Sequence, residues 1–150
     1  MDLRAILKTL KFKLCLPPIS ANGAAFAGNT YVDTQGLGAV LFLLTTGTIG
    51  ADIGSTLATT PPLVEECDTA GGSYTAVTGA ALADVIADTE DDTMWGIYVD
   101  LTKSHKRYMQ VQAPTAGAVA SVLGIHAIGF PLDESPRNAA GMGLTELIEA

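Results

Sequence analysis

From Met94 to Gln112 apolar and polar positions alternate twice. Trp95, Ile97, Val99 and Leu101 fall on one side and Gly96, Tyr98 and Asp100 on the other, the period of a half-buried strand. After the polar run Thr102 to His105, Arg107, Met109 and Val111 alternate with Lys106, Tyr108, Gln110 and Gln112. The pattern predicts a hairpin with a polar turn, Arg107 at its rim and Trp95, Ile97, Val99 and Val111 facing the core.

The rest of the chain repeats this theme in short segments. Leu3, Ile6, Leu7, Leu10 and Leu14 fit a helical stripe, while Leu10, Phe12, Leu14 and Leu16 alternate with Lys11, Lys13 and Cys15 as in a strand. A short helix running into a strand satisfies both, and Pro17-Pro18 is expected to stop it. Ile19 to Asn29 reads as a small-residue loop. Thr30 to Thr34 is a short strand and Gln35-Gly36 a turn. Leu37 to Thr46 is apolar on both faces, as expected of a strand that is central or covered on both sides. Leu63 to Asp68 is a further strand, Gly71-Gly72 a turn, and Tyr74 to Val77 a short strand. Ala80 to Ala87 reads as a helix or as a short strand with a turn. Ala116 to Phe130 supplies a long last strand with a bulge at Gly124. The tail beyond Pro131 ends in a short helical pattern from Leu144 to Ile148. Strands at short intervals, with at most one or two short helices, predict an all-β fold: a sandwich or jelly roll of about 7–8 strands. The expected division is an extended arm over residues 1–18, a sandwich over 19–131 and a tail over 132–150.

Composition adds a charge asymmetry. Residues 1–14 hold Arg4, Lys8, Lys11 and Lys13 against Asp2, a net of +3, whereas the other 136 residues hold 4 basic and 15 acidic side chains, a net of −11. A folded body this acidic argues against wrapping nucleic acid. The basic positions, Arg4, Lys8, Lys11 and Lys13 in the arm and His105, Lys106 and Arg107 at the hairpin tip, are the candidate partner-binding residues. The arm is expected to dock on an acidic surface, that of a neighbouring copy included, rather than on its own domain. No apolar run is long and unbroken enough to read as a membrane helix, and no signal peptide is recognised.

No catalytic or metal-binding constellation emerges, so no catalysis and no cofactor are expected. Asp88, Glu90, Asp91 and Asp92 lack the glycine and closing glutamate of a calcium loop and read as a solvated acidic turn. Glu65 and Glu66 are neighbours on a strand and point to opposite faces. Cys15 and Cys67 are compatible with one bridge but read as free and buried. His126, on an apolar strand, reads as a hydrogen-bonded core residue. Gly47 to Gly50 and Gly141 to Gly143 lack the ending of a phosphate loop.

The order YVDTQG (Tyr31 to Gly36), an acidic and Gly-rich middle, KRYMQVQ (Lys106 to Gln112) and APTAGAVASVLGIHAIGFP (Ala113 to Pro131) resembles small capsid decoration or cement proteins of tailed bacteriophages. The likeness covers residues 30–131 and departs from the pattern at Leu57 to Tyr74. It implies a jelly roll or related β-sandwich without catalysis on the outside of a capsid, made in the host cytoplasm. Its expected partners are the major capsid protein and further copies of the chain. A head-closure or tail-associated subunit, and a ligand- or carbohydrate-binding sandwich, are the alternatives.

Overall fold

The computed structural model describes residues 9–21, 29–54, 60–114 and 119–132. Eight strands run in order: β1 (Lys11–Ala21), β2 (Val32–Asp33), β3 (Leu37–Ile49), β4 (Leu63–Cys67), β5 (Thr75–Ala81), β6 (Met94–Asp100), β7 (Tyr108–Gln112) and β8 (Ser121–Pro131). They form two four-stranded sheets, β1-β8-β3-β6 and β2-β7-β4-β5. The pairs β1/β8, β2/β7, β3/β6 and β4/β5 are all antiparallel. The chain is therefore one long two-stranded ribbon, closed at the β4–β5 turn and rolled across itself. Pairing of β3 with β8 and of β4 with β7 completes each sheet. This is the strand order of an eight-stranded jelly roll, the expected fold class.

Alternation fills the space between the sheets. Val40, Phe42 and Leu44 of β3, Leu123 and Ile125 of β8, Ile97 and Val99 of β6, and Val64, Met109 and Val111 of the opposite sheet form one buried cluster. Each fully buried Leu, Ile or Phe contributes about 1.5–3 kcal/mol relative to exposure. The run Leu37 to Thr46 takes the interior place its two apolar faces predict, between β8 and β6.

Several expectations change. The segments around Trp95 and Met109 are strands with the predicted inward faces, but they are not a hairpin. β6 pairs with β3 and β7 with β4 and β2, so residues 101–107 carry the chain from one sheet to the other. Alternation reports which face is buried and is silent on the partner strand, so a crossing between sheets ~10 Å apart leaves the same pattern as a hairpin.

The sandwich also starts earlier than the expected boundary at residue 19. Lys11–Ala21 pair with β8, so part of the expected arm is an edge strand of its own domain; residues 1–8, including Arg4 and Lys8, lie outside the described residues. Pro17-Pro18 does not end this strand. Leu14 pairs with His126, Leu16 with Ile125 and Ile19 with Leu123, so extra residues bulge at Cys15 and at the proline pair. Proline is tolerated there because β1 is an edge and a bulge needs no ladder donor. The first bulge also exchanges faces: Phe12 and Leu14 point outward with Ile128 and His126, whereas Leu16 joins the core.

Gly124 is in register, and the bulges lie in its neighbours. A Cβ at Gly124 would lie 3.2 Å from Pro18 Cγ and 2.9 Å from Thr45 Oγ1, so glycine lets the bulged proline approach. Gly71, at φ +70°, makes the β4–β5 turn as expected. Over Ala80 to Ala87 the strand alternative holds: β5 runs to Ala81, and Ile86 bridges Ile53. Cys15 and Cys67 are free and buried, and burial raises the Cys15 thiol to about 11. The pattern at Leu144 to Ile148 lies outside the described residues.

Candidate functional site

The short β2 places Asp33 opposite Tyr108 and Val32 opposite Met109. Thr34 then locks the start of β7, its backbone N–H and its hydroxyl both donating to the Arg107 carbonyl at 2.9 and 2.7 Å. Held there, Arg107 donates from Nε and Nη2 to the two oxygens of Asp33 at 2.8 and 2.7 Å, a bidentate pair. The Asp33 carboxyl is held below its ordinary value chiefly by the Arg107 hydrogen bond. The Gln35 N–H and the charges of Arg107 and Lys11 act in the same direction, against desolvation.

The aromatic residues beside this pair form a chain. Lys13 Nζ lies 5.2 Å from the Tyr31 ring centroid, Tyr31 meets Tyr108 edge-on at 5.2 Å, and Arg107 lies 5.1 Å from the Tyr108 ring. Lys11, Lys13 and Arg107, far apart in sequence, thus share one rim around Asp33.

The other two candidates, His105 and Lys106 on the 101–107 crossing, face β4 and β5. Glu66 Oε2 takes the His105 Nδ1 contact at 2.9 Å and accepts the Lys106 backbone N–H at 3.1 Å. Lys106 Nζ donates to Thr75 Oγ1 at 3.1 Å. His105 and Arg107 therefore have carboxylates of their own chain as partners. Among the described residues, Lys11, Lys13 and Lys106 have none. Nothing in the sequence spacing of Asp33 and Glu66 marks them as partners for these cations, because the contacts are made across the roll.

The outer face of the β1-β8-β3-β6 sheet is the larger feature. Register aligns Phe12, Ile128, Leu41 and Tyr98 across its four strands, and in the next row Leu14, His126, Leu43 and Gly96. Thr45 beside Met94 extends the face on one side, and on the other it ends at the row of Phe130, Ala39 and Asp100, where the carboxylate marks its border. The rows from Phe12 and Leu14 to Tyr98 and Gly96 contain no Asp, Glu, Lys or Arg. Tyr98 is 61% exposed, Met94 66% and Leu14 52%. His126 sits half-buried on this face rather than in the core, because Ile125 and Ala127 take the inward positions. An uncharged apolar surface several strands wide is unusual on a freely solvated domain, which makes this face the candidate interaction site. The signal was present in the two apolar faces of Leu37 to Thr46.

The acidic turn is used internally. Asp91 Oδ1 accepts the Ile49 N–H at 2.6 Å, Glu90 Oε2 accepts the Ala87 N–H at 3.0 Å, and Thr93 binds Thr46 and the Trp95 indole. Among the described residues no three His, Cys, Asp or Glu side chains converge on a metal-sized site, and no helix is long and apolar enough to cross a membrane. Compared with known proteins, the chain matches no protein-family model and no curated protein sequence.

Proposed function

We propose that this chain is a non-catalytic virion subunit that binds the outer surface of a tailed-phage capsid lattice and stabilises it as a cement or decoration protein. The observation that carries the reading is the uncharged outer face of the β1-β8-β3-β6 sheet, where Phe12, Leu14, Leu41, Leu43, Tyr98 and Ile128 lie across four adjacent strands. The likeness of Tyr31 to Gly36 and Lys106 to Pro131 to such proteins supports it as well. In this reading the sheet face supplies the area buried against the major capsid protein. Lys11 and Lys13, on the edge strand β1, answer acidic groups at its border, and further copies of the chain occupy neighbouring lattice positions.

Reinforcement works by mass action. A protein that binds the assembled shell but not its free subunits stabilises the shell by about 2.7 kcal/mol per site at a hundredfold excess over Kd. Particles carrying the protein should withstand heating or osmotic shock that bursts particles lacking it, and adding the purified chain back should restore resistance. Particles that are equally robust without it but fail to join tails would replace this reading with head closure.

A further inference from the structure

Each sheet has two edges, and three of the four edge strands are guarded. β1 carries Lys11, Lys13 and the bulged Pro17-Pro18, β2 is 2 residues long, and β5 loses register against β4 and turns through Gly79 at φ +79°. Such features keep an edge from pairing with another chain. β6 has none of them. Its 7 residues hold one unbroken register with β3, include no proline and no lysine, and expose Met94 and Tyr98. Among the described residues no strand pairs with its other side.

The ladder also fixes which backbone groups that side presents. The Thr46 N–H donates to the Thr93 carbonyl and the Leu101 N–H to the Gly38 carbonyl, so the odd-numbered residues of β6 exchange hydrogen bonds with β3. The N–H and C=O groups of Met94, Gly96, Tyr98 and Asp100 point away from it.

We infer that β6 pairs antiparallel with β6 of a second copy about a twofold axis at Ile97. Met94 then lies opposite Asp100 of the second copy and Gly96 opposite its Tyr98, so every outward residue exchanges backbone hydrogen bonds and each tyrosine ring covers a bare glycine. Asp92 precedes the strand and Lys103 follows it, both exposed, and the antiparallel arrangement turns the acidic end of each copy toward the lysine of the other. A slip of the register one way sets Asp92 opposite Asp100 and glycine opposite glycine; a slip the other way leaves Met94 without a partner in the strand. In the inferred register the uncharged rows join across the axis, with Phe12, Ile128, Leu41 and Tyr98 of one copy running into Gly96, Leu43 and His126 of the other. The dimer thus doubles the face assigned to the shell, but the pairing rests on the β6 edge and not on that reading.

The test is analytical ultracentrifugation of the purified chain from about 1 to 500 μM, with amide hydrogen exchange at both ends of that range. One strand pair is a small interface, so a dissociation constant on the order of micromolar is expected. The Gly96 and Tyr98 amides, unprotected in the dilute chain, should become protected as dimers form. Gly96→Pro removes an N–H that the single chain does not use. A Cβ there would meet Leu41 Cδ1 at 3.5 Å and Leu43 Cδ2 at 3.9 Å, ordinary contacts, so the variant should fold and weaken dimerisation at least about tenfold. Leu14→Glu, at the far edge of the same sheet, should dimerise like the native chain. Dimers without protection at Gly96 and Tyr98, or dimers lost in Leu14→Glu and kept in Gly96→Pro, would overturn the inference, the second result placing the contact face to face on the apolar surface. A chain that stays monomeric throughout would overturn it too, and if that monomer still binds capsids the cement reading stands without it. If Gly96→Pro does not fold, the exchange pattern of the native chain decides.

Discussion

The two sheets share one core yet present different surfaces to the outside. Facing inward, both are apolar: Phe42, Leu44 and Ile125 from one, Val64, Met109 and Val111 from the other. Facing outward, the β2-β7-β4-β5 sheet carries Glu65, Gln110 and Gln112, the ordinary surface of a sheet meeting water. The β1-β8-β3-β6 sheet instead carries Phe12, Leu41, Ile128 and Tyr98 in one row. A jelly roll needs apolar residues only between its sheets. The apolar outer face is therefore not required by the fold, and we attribute it to a partner.

If that division is right, mutations on the two faces of β3 and β6 separate stability from binding. Phe42→Ala, in the core, should cost about 3–5 kcal/mol in denaturant unfolding. Trp95→Ala, half-buried and bonded to Thr93 through its indole, should cost less than Phe42→Ala but more than Tyr98→Ala. Tyr98→Ala should change stability by only about 0.5 kcal/mol in the isolated chain. A Tyr98 loss equal to that of Phe42 would mean the outer face is structural.

A smaller effect probes the rim. The folded value of the Asp33 carboxyl lies below its ordinary 3.8, so the unfolded chain binds more protons in that range and stability rises with pH there. The contribution is complete above 3.8 and is lost as pH falls through the depressed folded value. The stability deficit of Asp33→Asn should therefore be present at neutral pH and shrink below about pH 4. A deficit that does not vary with pH would place the cause in packing rather than in the Arg107 pair. Smallest in consequence, Cys15 should resist alkylation in the native protein at pH 8 and react once the chain is unfolded, because its thiol is pushed up to about 11.

Much of the fold was legible because burial writes a period of two into each strand. Trp95, Ile97, Val99, Met109 and Val111 could be assigned to a face without knowing any partner. What alternation does not encode is pairing, so the crossing over residues 101–107 read as a hairpin. Neither does it survive a bulge unaided: the extra residue at Cys15 turned Phe12 and Leu14 outward, although their spacing is continuous with Leu16. The basic candidates were visible as composition. Their carboxylate partners, Asp33 and Glu66, were not, since each lies tens of residues from its cation and only the roll brings them together.

The most direct test of the account is co-sedimentation with capsids that lack the protein, comparing a charge placed on each outer face. Tyr98→Glu and Leu14→Glu put the charge on the apolar face, and Thr78→Glu puts it on the exposed surface of β5 in the other sheet. All three should fold with native stability. Thr78→Glu should bind particles like the native chain, and Tyr98→Glu and Leu14→Glu should bind at least about tenfold more weakly. Undiminished binding by Tyr98→Glu and Leu14→Glu, or a loss confined to Thr78→Glu, would contradict the assignment of this face to the shell.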